Sequence, residues 1–210
     1  MAINLQASWE SLSARVGLEG EASQNIYDSL VSMYSVPGRY YHNLGHISLM
    51  LGFYEEFRKY AGDPDGLELA IWFHDAICLP EASDNEEKSV KLALNMLSGA
   101  GLGEASLSNV SKNILATKQA QPRMDFDSKL IRDLDFCNLT LPFEEFRAIT
   151  DTVIQENSSL GEEISKNQAI SFFEKLDRRR SIYQTYLFET MYEARARENV
   201  RQMLGLLRGV

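Results

Sequence analysis

Apolar residues in this chain recur at steps of three and four along nearly its whole length, and period-two alternation is rare. That regularity argues against strands and predicts an all-α fold. Trp9, Leu12 and Val16 form the first stripe, and Ile26, Leu30 and Met33 the second. Pro37–Gly38 breaks the chain. A third helix carries Ile47, Leu51, Tyr54 and Phe57 on one side. "GDPDG" at 62–66 reads as a turn. "LELAIWFHDAI" follows as a short and very apolar helix, which must be central. "CLPEASDNEEKSV" reads as a loop leading into a helix that Asp84 caps, with Glu86 and Glu87 at its positive end. Val90, Leu94 and Leu97 lie along that helix, and Gly99–Gly101 stops it. Further helices are expected at 104–116, over "DSKLIRDLDFCNL", from Pro142 in a first turn, over "SKNQAISFFEKL", and from Ile182 to Leu207. No repeat, low-complexity tract or composition break interrupts the 210 residues. The reading is one domain over 1–210 with about ten helices.

Composition excludes several functions. A net charge of −9 argues against binding bulk nucleic acid, which depends on neutralising phosphates with Lys and Arg. The short basic run Arg178–Arg180 reads as a solvated helix end. Charged residues interrupt every long apolar stretch, so no segment reaches the ~20 residues needed to span a membrane. Two distant cysteines, Cys78 and Cys137, make no disulfide framework. The expected location is the cytoplasm. A chain of this size buries a core without a metal staple, so any bound metal is expected to be functional.

There are three histidines. His42 and His46 lie four apart in "RYYHNLGHISLML", a spacing that turns both toward one cavity if a helix starts at or just after residue 42. His74 is followed by Asp75 inside "AIWFHDAI". A carboxylate buried in so apolar a helix is costly without a partner, and a metal ion is one such partner. A second acidic segment is "LIRDLDFCNL". Asp133 and Asp135 point about 200° apart on a helix, and Asp135 shares a side with Ile131 and Leu139, so it is the inward choice. His46, His74, Asp75 and Asp135 then supply two nitrogens and two oxygens, a set suited to Mn, Fe, Ni, Co, Mg or Zn.

Together these residues resemble the HD phosphohydrolase superfamily, whose motif is a His, an adjacent His-Asp and a distant Asp on helices around a metal. More closely, the chain resembles the bacterial family of predicted metal-dependent HD phosphohydrolases. "RYYHNLGHISLML", "LAIWFHDAI", "SDNEEKSV", "RDLDFCNL" and "SIYQTYLFETMYEARARENV" carry the likeness. It implies an HD-type bundle with its motif core at about 39–140 and helices 142–207 packed on it. "YHNLGHI" is also similar to the YHNxxHA signature of cyclic-nucleotide phosphodiesterases, which implies His46 as a metal ligand and His42 as the acid that protonates the leaving oxygen. Phosphodiesterases carry a further His four residues after the His of the His-Asp pair, where this chain has Cys78. The resemblance therefore implies one metal per chain, or a second held by Asp75, waters and substrate.

On this reading the chain hydrolyses a nucleotide or another small phosphate ester. Glu86 is a candidate base for the attacking water, although it equally suits a helix N-terminus. Asn85 joins it as a candidate for binding substrate. Arg39, Lys118 and Arg123 are candidate phosphate grips. Cys78 and Cys137 are read as small hydrophobes rather than ligands. Two other readings stand beside this one: a non-catalytic nucleotide-binding or sensor module, and a di-iron HD-fold oxygenase, whose site needs more histidines than this chain has. Substrate identity and oligomeric state are not legible in the sequence.

Overall fold

Helix ends follow the local chemistry of the chain. In the computed structural model, which describes residues 3–79, 82–118 and 123–209, ten α-helices follow one another, with no strand among the described residues. They are α1 Leu5–Val16, α2 Gly20–Tyr34, α3 Leu44–Phe57, α4 Pro64–Phe73, α5 Asn85–Gly99, α6 Glu104–Lys118, α7 Phe126–Asp135, α8 Phe143–Glu156, α9 Glu162–Asp177 and α10 Tyr186–Arg208. Side-chain oxygens cap the starts that matter to the site. Asn43 accepts from the Gly45 amide at 2.8 Å, and Asp125 accepts from Ser128 at 2.9 Å. Gly17, at φ 73°, ends α1 in the left-handed region.

Several boundaries differ from the sequence reading. The "GDPDG" stretch is mostly helix: Asp63 is its cap, accepting from Gly66 at 3.0 Å, and Pro64 takes the first position of α4. The other end of α4 comes early. Phe73 is its last residue, His74 caps it, and Asp75 lies in the turn beyond. Asp84 precedes α5 but makes no capping bond, because its carboxylate pairs with Lys88 at 2.8 Å instead. Pro142 caps α8 from outside, with ψ 142°, rather than sitting in the first turn. The last helix starts at Tyr186 instead of Ile182, because residues 182–185 are held outside the helix by Asp133 and Glu193.

The expected central helix is central. Every residue of α4 from Gly66 to Phe73 is buried, and α4 packs against α1, α3, α5, α6 and α7. Fully burying a Leu, Ile or Phe side chain is worth ~1.5–3 kcal/mol, so this short helix is firmly anchored and its C-terminal His74 has little freedom. Trp72 meets Trp9 edge-on at 5.4 Å. Around α7 and the 3-10 turn Cys137–Thr140 gather α8 and α10, with α9 against both. Asn199 of α10 donates to the carbonyls of Leu139 and Leu141 at 2.8 and 2.9 Å, and Phe188 packs on Phe57 of α3 at 4.6 Å. One cluster of buried apolar side chains runs from Trp9 to Leu204.

Candidate metal centre

The site is assembled from four element ends. The Asn43 cap starts α3 at Leu44, so His46 falls in its first turn and His42 lies just before it. The preceding loop is folded by its own polar groups. Asn43 donates to the carbonyls of Arg39 and Tyr40, while Arg39 donates to the carbonyls of His42, Asp75 and Ala76 at 3.2, 2.7 and 2.9 Å. Arg39 also lies over the Tyr34 ring at 5.3 Å. Its hydrogen bonds tie the His42 loop to the Asp75 turn, a structural role for the candidate phosphate grip that the sequence did not show.

His46 and His74 are buried, and their Nε2 atoms face each other at 3.3 Å. The Nδ1–H of His74 donates to the carbonyl of Ile71 at 2.9 Å. That bond fixes the tautomer and leaves the Nε2 lone pair of a neutral His74 pointing into the cluster. Asp75 Oδ2 lies 3.0 Å from His74 Nε2 and 3.9 Å from His46 Nε2. Asp135 Oδ1 lies 3.3 Å from His46 Nε2 and 3.8 Å from His74 Nε2. Ligand atoms of His46, His74 and Asp75 all fall within 4.8 Å of one another and form a group that could hold a metal ion. Asp135 reaches the same two nitrogens from the end of α7.

The electrostatics show what the cluster lacks. Burial disfavours a charged His74, but Asp75 and then Asp135 more than offset it and raise its pKa to about 9. Burial lowers the pKa of His46, and the neighbouring His74 adds to the effect. Burial likewise opposes the charge of Asp75, yet His74 and His42 hold its pKa far below the usual carboxylate range. Two facing imidazoles between two carboxylates need one positive charge at their centre. A proton on His74 supplies it, and a metal cation fits the same need.

Beside this group stands a second. His42 Nδ1 donates to Glu156 Oε1, and the amides of Tyr41 and His42 donate to Glu156 Oε2 at 2.7 and 3.1 Å. His42 Nε2 lies 3.9 Å from Asp75 Oδ2. Burial opposes the charge of His42, but Asp75, Cys78 and Glu156 raise its pKa well above the ordinary value. Burial also opposes ionisation of Glu156, and its contacts with His42 reverse that and lower its pKa. His42, Cys78 and Glu156 likewise bring ligand atoms within 4.8 Å of one another. Glu156 was missed from the sequence. It ends an amphipathic helix in "TVIQENSS", 114 residues from His42, and nothing there distinguishes it from a solvated glutamate.

The other candidates fall elsewhere. Asn85 clamps the backbone of Leu79, accepting from its amide at 3.1 Å and donating to its carbonyl at 2.9 Å. Lys118 binds the Glu87 carboxylate at 2.6 Å and the carbonyl of Ser83 at 2.6 Å. Glu86 sits in the first turn of α5, 3.9 Å from Lys118. Arg123 is exposed in the turn ahead of α7. None of Asn85, Glu86, Lys118 and Arg123 makes a hydrogen bond or ion pair with the histidine cluster among the described residues. Of the two α7 carboxylates, Asp135 does face the histidines, but Asp133 is the more deeply buried. It accepts from the amides of Gln184 and Thr185 at 2.7 Å each and from the Thr185 hydroxyl at 2.6 Å. No helix among the described residues is long and apolar enough to cross a membrane. Comparison of the chain with protein-family models, curated proteins and solved structures gives no match.

Proposed function

We propose that this chain is a metal-dependent phosphohydrolase of the HD type, acting on a nucleotide or another small phosphate ester. One observation carries the reading: two buried imidazole Nε2 atoms 3.3 Å apart, flanked by two carboxylates from separate elements. His46, His74, Asp75 and Asp135 would hold one divalent ion per chain, with Mn, Fe, Ni, Co, Mg and Zn all compatible with two nitrogens and two oxygens. When bound, such an ion supplies Lewis acidity toward a phosphoryl oxygen and lowers the pKa of a coordinated water.

The chain's own part is proton delivery and orientation. His42 is tied at Nδ1 by Glu156, so its second proton sits on Nε2, the nitrogen nearer Asp75 and the cluster. Its raised pKa keeps that proton available near neutrality. Glu156 fixes the ring and favours the imidazolium, and Arg39 holds the loop and the Asp75 turn together. A second reading draws on the His42, Cys78 and Glu156 group. If that group binds an ion as well, His42 is a ligand rather than an acid, and the centre is dinuclear.

The test is metal analysis of protein purified without chelator, with a phosphatase screen over added Mn, Co, Ni, Mg and Zn. About one ion per chain with turnover of a phosphate ester supports the first reading. Two ions per chain, with one lost in Cys78→Ala, favour the second. His74→Ala and Asp75→Ala are each expected to lose the metal, and full retention in both would overturn the site. Tight binding of a phosphorylated ligand without turnover under any metal would make the chain a sensor.

A further inference from the structure

Tyr41, His42 and Asp135 do not only border the histidine cluster. They also form one end of a cavity of about 290 Å³ that runs away from it between α7, α8 and α9. Most of its wall is apolar, with Phe136, Val153, Ile154 and Phe172 prominent in it. The rings of Phe136 and Phe172 meet edge-on at 5.7 Å. An apolar cavity of about 150 Å³ accepts one benzene, so this space admits a substituted ring or two fused rings. Two uncommitted amides interrupt the apolar lining. Asn138 and Gln168 line the cavity and make no side-chain hydrogen bond among the described residues.

The lining also contains no lysine or arginine among the described residues, and its one carboxylate is Asp135. The cations by the cluster bind carbonyls: Arg39 those of His42, Asp75 and Ala76, and Arg132 those of Ala116 and Thr117. Beyond the His42 imidazolium and an ion in the cluster, a chain of two or three phosphates would meet Asp75, Asp135 and Glu156 with no lysine or arginine in this lining to balance its further charge. A single phosphoryl group at the cluster with an uncharged ring behind it meets no such penalty.

We propose that the substrate is a phosphate monoester of a compact, uncharged, ring-bearing alcohol. Its ring lies against the Phe136–Phe172 pair, and Asn138 and Gln168 read its polar edge. The inference rests on the phosphohydrolase reading and narrows it, setting polyphosphates aside. In the reaction, water adds to phosphorus and its surplus proton stays on the phosphate product, the P–O bond to the alcohol breaks, and the departing alkoxide takes a proton from His42, which the phosphate's surplus proton then restores through solvent.

The test compares benzyl phosphate with ethyl phosphate, whose leaving alcohols are of similar acidity, so that the difference reports the cavity and not leaving-group chemistry. With the best metal, kcat/KM for benzyl phosphate is expected to exceed that for ethyl phosphate by about tenfold or more. Pyrophosphate and adenosine triphosphate are expected to be slower than benzyl phosphate. Ala169→Trp, which fills the cavity from α9, is expected to collapse the benzyl-to-ethyl ratio toward one, with folding verified by circular dichroism. A ratio near one in the unsubstituted protein, or faster turnover of a polyphosphate, overturns the proposal while leaving the hydrolase reading intact. If no phosphate is turned over, the hydrolase reading fails, and NMR titration with benzyl alcohol decides the cavity separately. Saturable methyl shifts at Val153 and Ile154 would retain it as a site for an uncharged ring, and no shifts would overturn it.

Discussion

His74 carries the sharpest chemical consequence at the scale of single residues. With its pKa raised to about 9, a proton occupies Nε2 at neutral pH when no metal is bound, and a metal must displace it. The sign follows directly: below that pKa, each unit of falling pH weakens apparent metal affinity by about tenfold, because ligation requires the deprotonated imidazole. Calorimetry in buffers of different ionisation enthalpy is expected to find about one proton released per ion bound near pH 7. No release would mean that His74 is already neutral. His42 leads to a different measurement. His42→Ala is expected to keep the metal and lose about 10²–10⁴ in rate, with the smallest loss on esters of acidic alcohols. Glu156→Gln removes a carboxylate that favours the imidazolium. The alkaline limb of kcat/KM is therefore expected to move to lower pH, and an unmoved limb would separate Glu156 from the acid.

Single elements place opposite roles on neighbouring residues, as α7 illustrates. Asp133 and Asp135 sit on opposite sides of the helix, and each side has a use. Asp133 latches the segment before α10 through three hydrogen bonds, whereas Asp135 faces the histidines. Asp133→Ala leaves the buried Thr185 and its neighbour with unpaired amides, and is expected to cost about 3 kcal/mol in urea unfolding with metal content unchanged. Asp135→Ala is expected to do the reverse, weakening metal binding with little loss of stability. The same pair shows how far the sequence can be read. Asp135 was legible because it completes an ordered set of rare ligand types on a helical face. The role of Asp133 was not, since its partners lie about fifty residues away and share no local pattern with it. The main-chain partners of Arg39 and Asn85 were hidden for a related reason: a cation or amide in a loop reveals nothing about which main-chain groups the folded loop will offer. The turn at Asp75 was read as helix because the apolar run continues through Ala76 and Ile77, although α4 ends at Phe73 with His74 as its cap.

Across the whole molecule, the centre joins what the core leaves apart. His46 comes from the start of α3, His74 and Asp75 from the end of α4, and Asp135 from the end of α7, while Glu156 brings in α8 through His42. The apolar packing around α4 positions these ends but leaves two imidazoles and two carboxylates crowded at one point. An ion bound there ties three helices together, and it has no counterpart site in the unfolded chain. Linkage then fixes the size of the effect: at a free metal concentration of about 100 Kd the folded state gains about 2.7 kcal/mol. For a chain of 210 residues, that corresponds to a rise of about 5–10 °C in Tm. The rise is expected to grow with the logarithm of metal concentration, to vanish on adding chelator, and to be absent in His74→Ala. A metal-dependent rise that survives in His74→Ala would locate the ion elsewhere, with His42, Cys78 and Glu156 the next group to test.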